Sequence, residues 1–142
     1  MLYHFEMARF LRSGFTLIEL MVVVAIIGVL MAAGIIAFSN AQVTARDAKR
    51  KADIDAISKA FEQYYADHNG LYPPTTGSFV SYFPTNTRPR DPRFGIEYSY
   101  VIVSPTDYCI CATLERVTAG NYTTNACTSP GSGRFFCASK RQ

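Results

Sequence analysis

The sequence predicts an α+β chain: one long N-terminal helix packed against a small antiparallel sheet, with a disulfide-stapled C-terminal tail. Three observations lead there. From Leu20 to Phe38 no residue is charged, and from Ser39 to Asp67 there is neither Pro nor Gly, so nothing breaks a helix across both stretches. Residues 97–115 then turn to aromatic and β-branched composition around a Pro-containing turn. All four cysteines fall beyond that point.

The helix comes first. About twenty apolar residues at ~1.5 Å rise each match the hydrocarbon core of a bilayer, and Leu20–Phe38 meets that length. Glu19 sits at its head, four residues after Phe15. A carboxylate there carries an insertion penalty of roughly 2.5–3.5 kcal/mol, so it normally has a partner. In front lie Arg9 and Arg12 against Glu6, then Ser13-Gly14. A secretory signal would place its small-residue cleavage site after the apolar run. Here the small residue precedes the run, and Ala32-Ala33-Gly34 is a weak Ala-x-Ala match. A cut after Gly14 would keep the apolar helix and create an α-amino group on Phe15, near Glu19. The bland alternative is a single-pass anchor with Glu19 at headgroup level.

Arg12-Ser13-Gly14-Phe15-Thr16-Leu17-Ile18-Glu19-Leu20 resembles the class III signal of type IV prepilins and type II secretion pseudopilins. The resemblance implies that a membrane aspartic peptidase cuts after Gly14 and N-methylates Phe15. It also implies that Glu19 neutralises the N-terminal amine of a neighbouring subunit during assembly, a pairing that a medium drier than water strengthens. The expected division is then a leader at residues 1–14, a hydrophobic transmembrane and assembly helix at 15–45, and an amphipathic half-helix plus globular head at 46–142. Met7 would serve as a start as well as Met1, with the leader ending at the same Gly14.

Beyond Phe38 the helix should become amphipathic. Five basic and five acidic side chains are interspersed between Arg46 and Asp67, while Ile54, Ile57, Ala60, Phe61 and Tyr64 recur at the spacing of one helix face. Asp67-His68-Asn69-Gly70 followed by Pro73-Pro74 is a helix stop. The helix is therefore read from Phe15 to about His68. Many pilins carry a proline within the apolar segment; here Ile36 occupies that neighbourhood, and softening is expected between Gly28 and Gly34.

Residues 71–95 read as a connecting loop with a short helical or extended piece at Phe79–Phe83. Glu97–Val103 and Tyr108–Glu115 read as a hairpin joined by Ser104-Pro105-Thr106-Asp107. Alternation places Tyr108, Ile110, Ala112 and Leu114 on the core face, and Cys109, Cys111, Thr113 and Glu115 on the other. Asp91-Pro92-x-x-Gly95 leading into Tyr98-x-Tyr100 is similar to a stretch of major pseudopilins and of many Gram-positive pilins. The acidic calcium loop of major pseudopilins is not visible, since Glu115 is the sole acid after Asp107.

The disulfide candidates are Cys109, Cys111, Cys127 and Cys137. Export favours oxidation. Two cysteines two apart on one strand face are badly placed for each other, so Cys109 and Cys111 should each take one of Cys127 and Cys137, in an order the sequence leaves open. Zinc fits poorly, because the spacings lack Cys-x2–4-Cys knuckles; no metal and no cofactor are expected. No catalytic constellation appears: His4 belongs to the leader, and His68 closes the helix. Arg88, Arg90 and Arg93 could meet nucleic-acid phosphates, though a solvated loop is the plainer reading, and Asn121-Tyr122-Thr123 is a chance-level glycosylation triplet.

Net charge is +3, or +2 once the leader is lost, too slight to call for an acidic partner. The expected function is that of a structural, non-enzymatic precursor subunit of a type IV pilus-like filament. Alternatives are a type II secretion pseudopilin and a minor pilin for adhesion or DNA uptake. By resemblance, its partners are further copies of itself in a helical polymer, the prepilin peptidase, an assembly ATPase and a membrane platform protein. The precursor is expected in the inner membrane and the product in an extracellular filament.

Overall fold

The structure, a computed structural model, describes residues 14–75 and 77–140. The leader lies outside the described residues except for Gly14, as do both candidate starts. The chain divides into two compact units, residues 1–38 and 39–142.

In the first unit, α1 (Leu17–Asp67) begins two residues after the expected start, for a local reason. Thr16 precedes the helix and its Oγ1 accepts the N–H of Glu19 at 3.3 Å, while Glu19 Oε2 accepts the N–H of Thr16 at 2.9 Å. This reciprocal pair is a capping box, and it fixes the first turn. Gly28 and Gly34 lie inside α1, with open space where a Cβ would be.

In the second unit, α1 buries Ile54, Ile57, Ala60, Phe61 and Tyr64, the stripe expected from periodicity. The helix closes where its stop was read. Asn69 is left-handed at φ 54° and the Gly70 N–H bonds the Tyr65 carbonyl at 3.0 Å, the Schellman pattern that satisfies a terminal carbonyl. The connecting segment contains a 3-10 turn, Val80–Tyr82, which presents Phe79 and Phe83 to the core.

The sheet contains β1 (Tyr100–Ser104), β2 (Asp107–Thr113), β3 (Gly120–Tyr122), β4 (Pro130–Gly133) and β5 (Phe135–Ser139), in the order β1-β2-β5-β3-β4 with antiparallel pairing throughout. The hairpin pairs Tyr100 with Ile110 and Ile102 with Tyr108, and its face assignment is as expected: Tyr108, Ile110, Ala112 and Leu114 are all buried. Strand β1 starts later than the reading from Glu97, which instead forms an isolated bridge to Arg90. The tail differs most. Expected only as a disulfide-stapled tail, residues 120–139 supply three strands, and β5 pairs directly with β2.

The core is largely aromatic. Phe61 meets Phe79, Tyr100 and Tyr108 edge-on at centroid distances of 4.6, 4.9 and 4.7 Å, the arrangement that ring quadrupoles favour. Ser58 and the Tyr108 hydroxyl share a buried hydrogen bond at 2.8 Å, and Tyr98 donates to Asp53 at 3.0 Å. In the tail, Gly120 and Gly133 have no room for a side chain: a Cβ would run into the backbone carbonyls of Phe135 and Tyr122, respectively.

Candidate functional site

Two groups of residues bear on function, one in each unit. In the first unit, Gly14, Phe15 and Glu19 are all exposed, Phe15 at 92%. Leu17, Ile18 and Leu20 follow, and the large apolar side chains from Phe15 to Phe38 are each about half exposed or more. Exposed apolar surface on this scale marks a membrane or protein contact. The helix is long and apolar enough to cross a bilayer. Glu19 does have a partner, and it is local: both the backbone N–H and the hydroxyl of Thr16 donate to Oε2, at 2.9 and 2.8 Å. The carboxylate is thereby turned back onto the residue that precedes the helix.

In the second unit an ion cluster ties three chain segments together. Arg50 is buried at 1% exposure. Its Nε donates to Asp91 Oδ2 at 2.7 Å, and its Nη1 donates to Asp47 Oδ1 and Glu115 Oε1, both at 2.9 Å. Arg46 adds a two-pronged contact to Glu115, at 2.6 and 2.7 Å, the geometry in which guanidinium and carboxylate bind best. Asp47 also accepts the N–H groups of Glu115 and Arg116 at 2.9 and 3.0 Å, pinning the end of the hairpin to the helix.

The Asp91-Pro92-x-x-Gly95 stretch is explained by the same cluster. Asp91 Oδ1 accepts the N–H of Arg93 at 2.8 Å and of Phe94 at 3.0 Å, and the Gly95 N–H returns to the Asp91 carbonyl at 2.9 Å. Gly95 has φ 67°, a conformation glycine adopts without penalty. Asp91 thus closes its own turn with Oδ1 and grips Arg50 chiefly with Oδ2, Oδ1 also accepting from Arg50 Nη2 at 3.3 Å.

The electrostatics follow from these contacts. The Arg46 hydrogen bonds, joined by those of Arg50, hold the Glu115 carboxyl down at about 2. Burial works against the Asp91 charge, but Arg50 and the two backbone N–H groups outweigh it and keep that carboxyl below its ordinary range. Arg50 is raised, chiefly by Asp91. Each charge here is paired, as burial demands.

Sequence reading missed this cluster, because interspersed charges on a helix read as a solvated face. The available signal was spacing: Asp47 and Arg50 continue the buried stripe of Ile54, Ile57, Phe61 and Tyr64 at steps of three and four. The loop arginines are also engaged. Arg88 and Arg90 meet Glu97, and Arg93 meets Glu115 at 3.4 Å, which leaves the loop as a paired surface rather than a free basic patch.

The cysteines pair as Cys109–Cys127 and Cys111–Cys137, resolving the order that the sequence left open. Three of the sulfurs, on Cys109, Cys111 and Cys127, lie within 4.8 Å of one another. Every cysteine is disulfide-bonded, so none offers the thiolate that a metal ligand must be.

Comparisons with known proteins bear on both units. Residues 9–35 match the family described as the prokaryotic N-terminal methylation motif. The chain is similar to the type II secretion system core protein G of Vibrio cholerae serotype O1, 36% identical over 86 residues, covering 59% of this chain and 58% of that protein. It is also similar to the protein of the same description from Pseudomonas aeruginosa, 35% identical over 101 residues, covering 71% of this chain and 70% of that one. The match thus spans less than two thirds of the Vibrio protein. No solved structure matches. A 101-residue match cannot be contained in the 9–35 motif and must draw on the head. With the methylation motif, the long helix against an antiparallel sheet and this similarity together, the chain belongs to the type IV pilin-like family of prepilins and type II secretion pseudopilins, whose members are structural and non-enzymatic.

Proposed function

We propose that this chain is the precursor of a pseudopilin, a subunit that polymerises into the short filament of a type II secretion machine. The observation that carries this reading is that both curated relatives bear the description of the secretion system's core protein G. The expectation of a type IV pilus subunit gives way to it as the first choice. One feature favours the pilus reading as the second: residues 116–142 hold no carboxylate, and disulfides hold the tail.

In the proposed sequence, residues 15–45 hold the precursor in the inner membrane with its head outside, and residues 1–14 are the leader that precedes them. A prepilin peptidase cuts after Gly14 and methylates Phe15. Residues 15–45 then pass from lipid into a bundle of like helices, driven by a cytoplasmic assembly ATPase and a membrane platform protein, while 46–142 pack outside as the head. Glu19 meets the new amine of Phe15 on a neighbouring copy. Repetition of one non-closing contact yields a helical polymer.

Deleting the gene and surveying both the secretome and the sheared surface fraction separates the two readings. Loss of extracellular proteins with surface filaments unchanged supports the pseudopilin. The opposite result supports the pilus subunit. Mass spectrometry of the mature N-terminus should find methylated Phe15; any other terminus refutes the processing site. Glu19→Ala should leave cleavage intact and abolish polymer formation, and normal polymer from that variant would refute the proposed pairing.

A further inference from the structure

The two disulfides are not equivalent. Cys111 and Cys137 are direct register partners in the β2–β5 ladder, flanked by Ile110↔Ala138 and Ala112↔Phe136, with Cα atoms 4.1 Å apart. Strand pairing alone keeps these two residues adjacent. Cys109–Cys127 reaches instead from β2 to the loop between β3 and β4. That loop has few other ties to the sheet: Thr123 bonds Ser129 at 3.0 Å, and Thr124 faces Thr128 at 3.5 Å, contacts internal to the loop. Cys127 is also left-handed at φ 53°, a region that a non-glycine residue occupies only when its surroundings hold it there.

The four sulfurs are crowded as well. Cys111 Sγ lies 3.6 Å from Cys109 Sγ and 4.0 Å from Cys127 Sγ. Cys127 is partly exposed and Cys109 is buried. Beside them opens a cleft of about 400 Å³, lined by Cys109 and Cys111 together with Arg93, Arg134 and Asn125.

We propose that Cys109–Cys127 is a thiol-exchange site for a dithiol reductant, with Cys111 as the alternative partner of Cys127. A thiolate of the reductant attacks the more exposed Cys127 Sγ; the sulfur–sulfur bond breaks and its electron pair leaves on Cys109 Sγ. The second thiol of the reductant attacks the mixed disulfide, which releases the Cys127 thiolate and leaves the reductant oxidised to a disulfide. The Cys127 thiolate then attacks Cys111 Sγ, forming Cys111–Cys127 and expelling the Cys137 thiolate. Cys109 and Cys137 take up protons from solvent. Such exchange proceeds through successive mixed disulfides and depends on which sulfur is accessible. Its structural result is release of the 123–129 loop from β2 and its re-attachment two residues along the same strand.

The test is a dithiothreitol titration of the full chain in detergent, quenched with N-ethylmaleimide and mapped by peptide mass spectrometry. Cys109 should label first, at least ten-fold faster than Cys111, and at intermediate reductant a peptide linking Cys111 to Cys127 should appear in step with labelling of Cys137. Labelling of Cys111 and Cys137 first, or of all four at one rate, overturns the proposal. A Cys109→Ser variant supplies the second readout without reductant. It should contain Cys111–Cys127 alongside Cys111–Cys137; Cys111–Cys137 alone overturns the exchange step.

Discussion

The two halves of α1 have almost opposite environments. Between Leu17 and Phe38 every residue is exposed, including a run of Ile, Leu, Val and Met. Between Asp47 and Tyr64 the same helix buries nine side chains, two aspartates and an arginine among them. Helical stability in proteins comes mostly from packing an apolar face, and only the second half has a face packed within its own chain. The first half is apolar all round, the pattern of a segment that meets its partners elsewhere. The difference is one of packing: the second half stabilises the head of its own chain, and the first half leaves its apolar surface open.

The largest expected effect that tests this contrast is Phe61→Ala. Removing the ring that three other aromatics meet edge-on should destabilise the head by about 3–5 kcal/mol, read from thermal melts of the detergent-solubilised chain by near-ultraviolet circular dichroism. Ile27→Ala, in the exposed half, should leave that melt unchanged. Equal losses from the two variants would break the comparison.

Next is Arg50→Met. It keeps much of the side-chain volume but removes the cation shared by Asp47, Asp91 and Glu115, leaving the two aspartates only backbone N–H donors, and losing one partner of a buried ion cluster destabilises by roughly 3–5 kcal/mol. A melt within 1 °C of the parent protein would show that the cluster is dispensable.

Acid sensitivity should follow from the same residues. Glu115 is held at about 2 against an ordinary 4.5, and Asp91 below its ordinary 3.8. Both are depressed on folding, so their contribution is complete above the unfolded values and is lost as pH falls from about 4.5 toward 2. The melting temperature should be flat near neutrality and decline through that window. In Glu115→Gln the decline should be shallower, and an unchanged slope would remove Glu115 as its source.

The smallest effect concerns the Tyr100 hydroxyl, which is buried without a hydrogen-bond partner among the described residues. Removing an unpaired polar group is neutral or favourable, so Tyr100→Phe should match or exceed the parent's stability. Tyr98→Phe, which removes the hydroxyl that donates to Asp53 and leaves it Lys49 at 2.7 Å, should lose about 1–2 kcal/mol. Denaturant titration of the pair distinguishes them.

How much of this could be read from sequence depended on how local the cause was. The helix stop at Asn69-Gly70, the Ile54-to-Tyr64 stripe and the inward face of β2 each rest on neighbours within a turn or a strand, and each was legible. The Thr16–Glu19 capping box was equally local, but the reading looked for an amine and passed over the hydroxyl three residues away. The tail was opaque for a physical reason. Residues 118–133 are interrupted by Gly120, Asn121, Asn125, Pro130, Gly131 and Gly133, residue types depleted in strands; β3 and β4 exist because β5 and the side chain of Asn121, bonded at both ends to Cys137, give them something to pair with. The ion cluster was hidden by distance, since Arg50 finds Asp91 and Glu115 from 41 and 65 residues away.

The crossing of β3 with its neighbours has a consequence for how this chain can diversify. Carbonyls of the adjoining backbone fill the space beside Gly120 and Gly133, so even alanine at either position forces strands apart. The intervening loop of exposed Thr, Asn and Ala residues carries no such restriction. Sequence drift in the tail is therefore confined to the exposed Thr, Asn and Ala positions of the loop, and a variant library should recover many residues there on unchanged Gly120, Asn121, Cys127 and Gly133.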